Sequence, residues 1–367
     1  EFKRLGVTGS WDRPYLTMDY HAEAVIAEEF MKFLMNGTLY QGSKPVMWSV
    51  VEKTALAEAE VESHEHQSHT IWVKFPVVEA GGTGLDGAKV VIWTTTPWTI
   101  PQNRAVSFSP DISYGLYEVT ATPEECWARV GDRFLLADKL AAEVLGSARL
   151  ENTMYTRLRD VPAEELGSLT CAHPFRGMAG GMGEWDYDVP LLPGDHVTDD
   201  AGTGFVHTAP SHGEDDYQVG LKFGLPMTHN VLEDGSFRPT LPVFGGEVIV
   251  KPNGKEGGAN KAVIDKLVEV GALIARGRLT HSYPHSWRSK APLIFRNTPQ
   301  WFVAIDKPLG DSMDTYGETI RARALSSIDS LVKFTPGKGR TRLHAMIEAR
   351  PDWVLSRQRA WGVPLTC

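Results

Sequence analysis

The sequence predicts an α/β protein in which a β-rich domain, residues 62–282, is inserted between two flanking segments, 1–61 and 283–367. Three observations carry this reading. Helical periodicity is concentrated in the flanks, whereas the middle is dominated by short alternating or β-branched runs. Glycine-rich turns at 81–84, 177–183, 245–246 and 254–258 punctuate the middle. After about 281 the texture becomes aromatic and basic, in HSYPHSWRSKAPLIFRNTPQWFV. A chain of 367 residues with 42% apolar content is long enough for two or three domains with real cores.

Residues 20–37 place Ile26, Phe30, Phe33 and Leu34 at helical spacing, with Asp19 able to cap the start and Gly37 the end. A second short helix is expected at 53–60. Ile71, Val73, Phe75 and Val77 then alternate as in a half-buried strand. Strands are expected at 88–93, 104–108, 114–119, 132–136 and 204–209, with a short helix at 137–145 and another at 217–223. The apolar stripe Val263, Ile264, Leu267, Val270, Leu273 and Ile274 predicts a helix over 260–274. Helical patterns return near 315–331 and 340–350.

Composition excludes several classes. A net charge of −9 argues against a protein that coats nucleic acid non-specifically, while leaving room for one local basic groove. The three cysteines, Cys126, Cys171 and Cys367, form no CxxC pair, which speaks against a cysteine zinc site and fits a reducing compartment. No apolar run reaches the roughly 18 residues of a membrane span, and no signal segment opens the chain. A cytoplasmic, monomeric protein is expected. The chain begins at Glu1 without Met, and we take it as part of something longer.

Chemistry is concentrated in two stretches. VIWTTTPWTIPQN, 91–103, runs from a strand into Thr94, Thr95, Thr96 and Thr99. Pro97 removes a backbone donor and pushes Thr96 toward extended geometry. Threonine hydroxyls both donate and accept, and β-branching restricts their rotation, so several at a strand mouth can orient a ligand without adding charge. The bland alternative is a turn capped by hydroxyls. GTGFVHTAPSHGEDDY, 202–217, places His207 in a strand and His212, Glu214, Asp215 and Asp216 at a loop or first helical turn, where acids suit the helix dipole. A lone strand histidine is most often a hydrogen-bonded core residue. Metal binding by His207, His212 and Asp216 has too few well-spaced ligands to be preferred.

Together these stretches resemble the editing domain of isoleucyl-tRNA synthetase. The flanks agree, in SWDRPYLTMD (10–19), KPVMWS (44–49), ALAEAEVE (55–62), RNTPQWFV (296–303) and PDWVLSRQRAWGVPL (351–365). The resemblance spans essentially the whole chain, and the Thr-rich stretch is specific, since valyl and leucyl relatives carry TTRP-type variants. It implies a barrel-like editing domain inserted into a partial Rossmann-type class I catalytic domain. The implied activity is hydrolysis of valine mischarged onto tRNA(Ile). Valine lacks one methylene of isoleucine, and a pocket gains only about 1–3 kcal/mol from such a group; isoleucyl-tRNA synthetase is itself the established example, at roughly 150-fold.

The resemblance also implies roles. Thr95, Thr96 and Thr99 line the hydrolytic site, with Thr94 and Asn103 nearby. Asp216, tenth from His207 in the family pattern, binds the substrate α-ammonium. His207 forms a pocket wall that excludes isoleucine, in preference to acting as general base. Trp98 supports the pocket or stacks on the terminal adenine. The partner is the tRNA(Ile) 3′ end carrying valine. The parent enzyme uses ATP and Mg, but the His-x-Gly-His and Lys-Met-Ser-Lys signatures are absent from this sequence, so neither aminoacylation nor a cofactor is expected here. Cysteines occupy the HSWRS region in some relatives and suggest zinc; Ser286 and Ser289 stand there instead. The competing expectation is a non-catalytic module that binds the tRNA 3′ end.

Overall fold

The computed structural model describes residues 1–359 and 361–365. Cys367, and Ala360 of the SRQRAWG stretch, lie outside the described residues. In chain order the elements are α1 (Tyr20–Met35), β1 (Leu39–Ser49), β2 (Thr54–Ala55), β3 (Val61–Glu79), β4 (Lys89–Thr94), β5 (Ala105–Phe108), β6 (Tyr114–Val119), β7 (Arg133–Ala137) and α2 (Ala141–Ser147). They continue as β8 (Tyr155–Asp160), α3 (Ala163–Leu166), β9 (Thr170–Ala172), β10 (Asp188–Pro193), β11 (Phe205–Thr208), α4 (Glu214–Phe223), α5 (Ala259–Glu269), β12 (Leu273–Ser286), β13 (Ile294–Val303), α6 (Ile320–Ser330), α7 (Lys338–Glu348) and β14 (Trp353–Val354). No helix among the described residues is long and apolar enough to cross a membrane.

Two compact units divide the chain, Lys44–Thr298 and Glu1–Ser43 with Pro299–Cys367. The first is built on a mixed sheet in the order β11-β5-β10-β9-β3-β4-β7-β6-β8, with β12 also paired to β3. The β5–β10 and β4–β7 pairs are parallel. The sheet curls back on itself. Thr203, just before β11 at one end of that order, accepts from the backbone N–H of Ala137 at the end of β7, 2.9 Å away. Tyr114 of β6 also donates its hydroxyl to Gly204 O at 2.7 Å. The enclosed core takes fully buried Ile71, Val73, Phe75, Ile92, Phe134 and Leu135.

The longest ladder corrects the sequence reading. β3 runs 19 residues, and β12 pairs with it from Leu273↔Val73 down to Ser286↔Val61. Its lower half is polar on both strands, so hydrophobic alternation marks only Ile71–Val77. The helix expected over 260–274 stops at Glu269. Gly271 adopts φ +70°, which breaks the helix, and Leu273 and Ile274 open β12 rather than closing α5. The helix expected at 53–60 is instead the two-residue β2 followed by a single 3₁₀ turn at Glu58–Glu60. The ladder ends at Ser286 within the compact unit Lys44–Thr298, and the Ser286 hydroxyl donates to both carboxylate oxygens of Glu52 at 2.9 and 3.1 Å. Glu52 accepts from the Ser289 N–H as well, at 3.0 Å.

The other unit has a small core of Phe30, Leu39, Val303 and Ile305. Asp19 caps α1 by accepting from His21 N at 2.8 Å. Arg321 of α6 donates to the carbonyls of Ile347, Glu348 and Arg350 at 2.6, 2.9 and 2.7 Å, satisfying the C-terminal end of α7.

Candidate active site

β4 ends at Thr94, where the hydroxyls begin, and Pro97 opens a 3₁₀ turn over Pro97–Gln102. Thr96, before the proline, sits at φ −122°, ψ 71°. The Thr94 hydroxyl accepts from Thr96 N at 3.1 Å and lies 3.1 Å from the Thr96 hydroxyl. Thr96 Oγ1 is in turn 3.4 Å from Thr99 Oγ1. Thr99 donates its proton to Thr96 O at 2.8 Å, leaving a lone pair toward His207 Nε2, also 2.8 Å away. His207 therefore carries its proton on Nε2. Its Nδ1 accepts from the Asn103 amide at 3.2 Å, so both ring nitrogens are engaged and the tautomer is fixed. Burial, then the neighbouring His212, lowers the His207 pKa to about 3. The ring is neutral and has no free lone pair for general-base work.

Asp216 lies in the first turn of α4 and accepts from Ala209 N at 2.8 Å. Burial raises its pKa to about 6 against that hydrogen bond, with Asp215 adding repulsion. Asp215 is exposed and Asp216 half-buried, so the two neighbours occupy different environments. Between them and His207, the His212 ring packs edge-on to Trp98 at 5.0 Å and donates through Nδ1 to Phe295 O at 2.9 Å.

The Thr-rich turn opens on a cleft of about 370 Å³. Thr95, Thr96 and Trp98 line it together with His69, Glu256 and Asn260. Asn260 accepts from Trp98 N at 3.1 Å and donates to Glu256 at 2.9 Å, and Glu256 meets His69 Nε2 at 3.0 Å. Thr94, Thr99, Asn103 and His207 are buried and form the hydrogen-bonded layer behind these residues. Asp216 is not among the residues lining the cleft, and among the described residues no hydrogen bond joins it to the threonines. The sequence reading missed His69, Glu256 and Asn260. They come from β3, a loop and the start of α5: β3 meets the threonines through its pairing with β4, where Ile71 lies opposite Thr94, and Asn260 through its bond to Trp98 N. Among the described residues no group of three His, Cys, Asp or Glu side chains is placed to hold a metal ion.

A family model for class I tRNA synthetases (I, L, M and V) matches residues 1–367. The chain belongs to that family. The isoleucine--tRNA ligase of Ruegeria pomeroyi is 65% identical over 370 residues, covering 100% of this chain and 38% of its own length. That of Bradyrhizobium diazoefficiens is 56% identical over 377 residues, covering 100% and 37%. The chain thus spans little more than a third of these class I relatives. A solved structure described as the crystal structure of GlLeuRS-CP1 overlaps 42% of this chain and 60% of that one at 17% identity, with a TM-score of 0.31, a likeness that carries no argument.

Proposed function

We propose that the chain is part of an isoleucine--tRNA ligase and that its sheet-based unit is the editing domain, inserted into a partial Rossmann-type catalytic domain. On this reading it hydrolyses valine from mischarged tRNA(Ile). The observation that carries the proposal is the continuous hydroxyl network Thr94–Thr96–Thr99–His207–Asn103 behind a cleft faced by Thr95, Thr96 and Trp98. The threonine face of the cleft presents donors and acceptors to an ester, and the charged Glu256, Lys255 and Lys290 also line the cleft.

In the reaction, water oxygen attacks the ester carbonyl, the acyl C–O bond breaks, and the ribose oxygen departs with a proton. Thr95 and Thr96, which face the cleft, hold the ester and water in attacking geometry, and Thr99 fixes Thr96 from the layer behind. Asp216 stands outside the cleft lining, so on this reading the aminoacyl group reaches past the threonines, where the carboxylate, ionised above its raised pKa, takes the α-ammonium. His207, locked by Thr99 and Asn103 behind the cleft, sets how far the threonine layer yields and so excludes the larger side chain of isoleucine. Since His207 is neutral and engaged on both sides, the substrate's free ribose hydroxyl positions the water and relays its proton to the departing ribose oxygen, and the acid formed loses its proton to solvent. The sequence lacks the two ATP signatures, so no step runs through ATP or Mg.

One observation favours a second reading: no side chain in the network is a base near neutral pH. That suits a module that holds the tRNA 3′ end without turnover. Deacylation of Val-tRNA(Ile) and Ile-tRNA(Ile) at matched concentrations decides between them. The proposal expects fast loss of valine, isoleucine spared, and activity abolished in a folded Asp216→Ala variant. Salt-dependent tRNA binding with no hydrolysis would establish the binding module instead.

A further inference from the structure

The turn that carries the threonines cannot satisfy itself. Prolines at 97 and 101 supply no N–H, and a six-residue 3₁₀ stretch is long for that geometry. Thr96 O and Ile100 O accept from Thr99 N and Asn103 N at 3.0 Å within the turn, and its buried carbonyls draw further donors from side chains. Gln102, with its amide nitrogen turned inward, reaches Trp98 O and Thr99 O at 3.0 and 3.2 Å. The remaining donors come from one segment, 173–187. His173 Nε2 meets Ile100 O at 2.9 Å, Trp185 Nε1 donates to Pro101 O at 2.9 Å, and the Tyr187 hydroxyl donates to Asn103 O at 2.6 Å.

These three side chains are themselves held. His173 Nδ1 accepts from Phe175 N at 3.1 Å, which places the ring proton on Nε2, toward Ile100. The His173 and Trp185 rings stack, with centroids 6.2 Å apart and planes 22° from parallel. The Arg104 guanidinium covers the Tyr187 ring at 4.2 Å.

We infer that His173, Trp185 and Tyr187 form a clasp of positioning residues that sets the Thr-rich turn, and so the selectivity of the site. The inference rests on the proposed editing reading for its functional half. The linkage is continuous. Tyr187 fixes the backbone of Asn103; the Asn103 amide fixes His207; His207 Nε2–H fixes Thr99; Thr99 bonds back to Thr96 O. None of the three clasp residues lines the cleft, so each acts through the turn. Burial lowers the His173 pKa to about 3 and raises that of Tyr187, so both remain neutral donors across the working pH range.

The test compares wild type with Tyr187→Phe, which keeps the ring and loses the donor, and Trp185→Phe, which loses the donor and keeps a smaller aromatic ring. It adds His173→Leu, with His173→Gln as the donor-retaining control. On valyl and isoleucyl esters of tRNA(Ile), the donor-less variants should lose roughly ten- to a hundredfold in kcat with KM little changed. The valine-to-isoleucine ratio should fall with it, and His173→Gln should recover much of both. A purely structural contribution would lower the unfolding midpoint and leave that ratio intact. The ¹⁵N signals of His207 read the clasp without catalysis: wild type should show the Nε2–H tautomer, and Tyr187→Phe a mixture. Folded variants with an unchanged ratio and an unmixed tautomer would overturn the clasp. If wild type hydrolyses neither ester, the editing reading fails by itself, and the tautomer signal alone decides the clasp.

Discussion

Asp216 carries its charge under strain. Burial raises its pKa to about 6 from the ordinary 3.8, and only one backbone N–H opposes that shift. The sign of the stability linkage follows. A folded pKa above the unfolded one means that the fold favours the protonated acid. Its contribution is complete below about 3.8 and is lost as pH rises through about 6. Asp216→Asn, which mimics the protonated acid, should therefore be more stable than wild type at pH 8 by about 1–3 kcal/mol, with no gain at pH 3.5. Urea midpoints at the two pH values check this. Activity should run the other way. If Asp216 binds the substrate ammonium as proposed, the carboxylate is required, so kcat/KM for the valyl ester should rise with a midpoint near 6, while Asp216→Asn stays low throughout. His207 titrates near 3 and contributes nothing to that limb. A midpoint well below 6 would place the ionising group elsewhere. The sequence pattern indicated Asp216 only by counting from His207. The contrast with exposed Asp215 depends on how α4 lies on the loop at Ala209, which no local pattern states.

β11 delivers His207, and Gly204 just before it permits the approach. Gly204 has φ +80°, and a Cβ there would come within 2.3 Å of Ala137 Cβ, which has no flexible end to move. Gly204→Ala should destabilise the protein by about 2–4 kcal/mol from the left-handed backbone and overpacking combined. Chemical denaturation measures it, and a loss under about 0.5 kcal/mol, the usual range for neutral surface changes, would show that β7 and the β11 entry yield easily. Elements of this kind were also the legible ones. β5, β6, β7 and β11 are short apolar strands that fall within a residue of their expected ends, because each carries its burial signal in its own composition. The lower halves of β3 and β12 were not legible: VESHEHQSH and RLTHSYPHS hold no apolar face, and their order comes from pairing with each other. His69, which lines the cleft from that ladder, was hidden for the same reason.

At the scale of the whole chain, the two compact units differ in how much apolar surface each encloses. In Lys44–Thr298, β4 buries Val90, Val91 and Ile92 at 0% exposure between paired strands. In the other unit, α1 buries Phe30 but leaves Ile26 44%, Tyr20 89% and Met35 80% exposed. Helices of this length draw most of their stability from packing an apolar face, and α1 packs little of its own. Local opening free energies should follow, since protection scales with buried apolar contact and enclosed hydrogen bonds. In native-state hydrogen exchange, amides of α1, α6 and α7 should exchange at least about a hundredfold faster than those of β4, β5 and β11, a gap of about 2.7 kcal/mol in opening free energy. The threonine turn belongs with the protected group, because its N–H groups at Thr99 and Asn103 bond within a fully buried segment clasped from outside. Equal protection in both units would mean that they open together, and selectivity at the threonines would then depend on residues far outside the sheet. Unequal protection would make the sheet-based unit a self-sufficient support for its cleft.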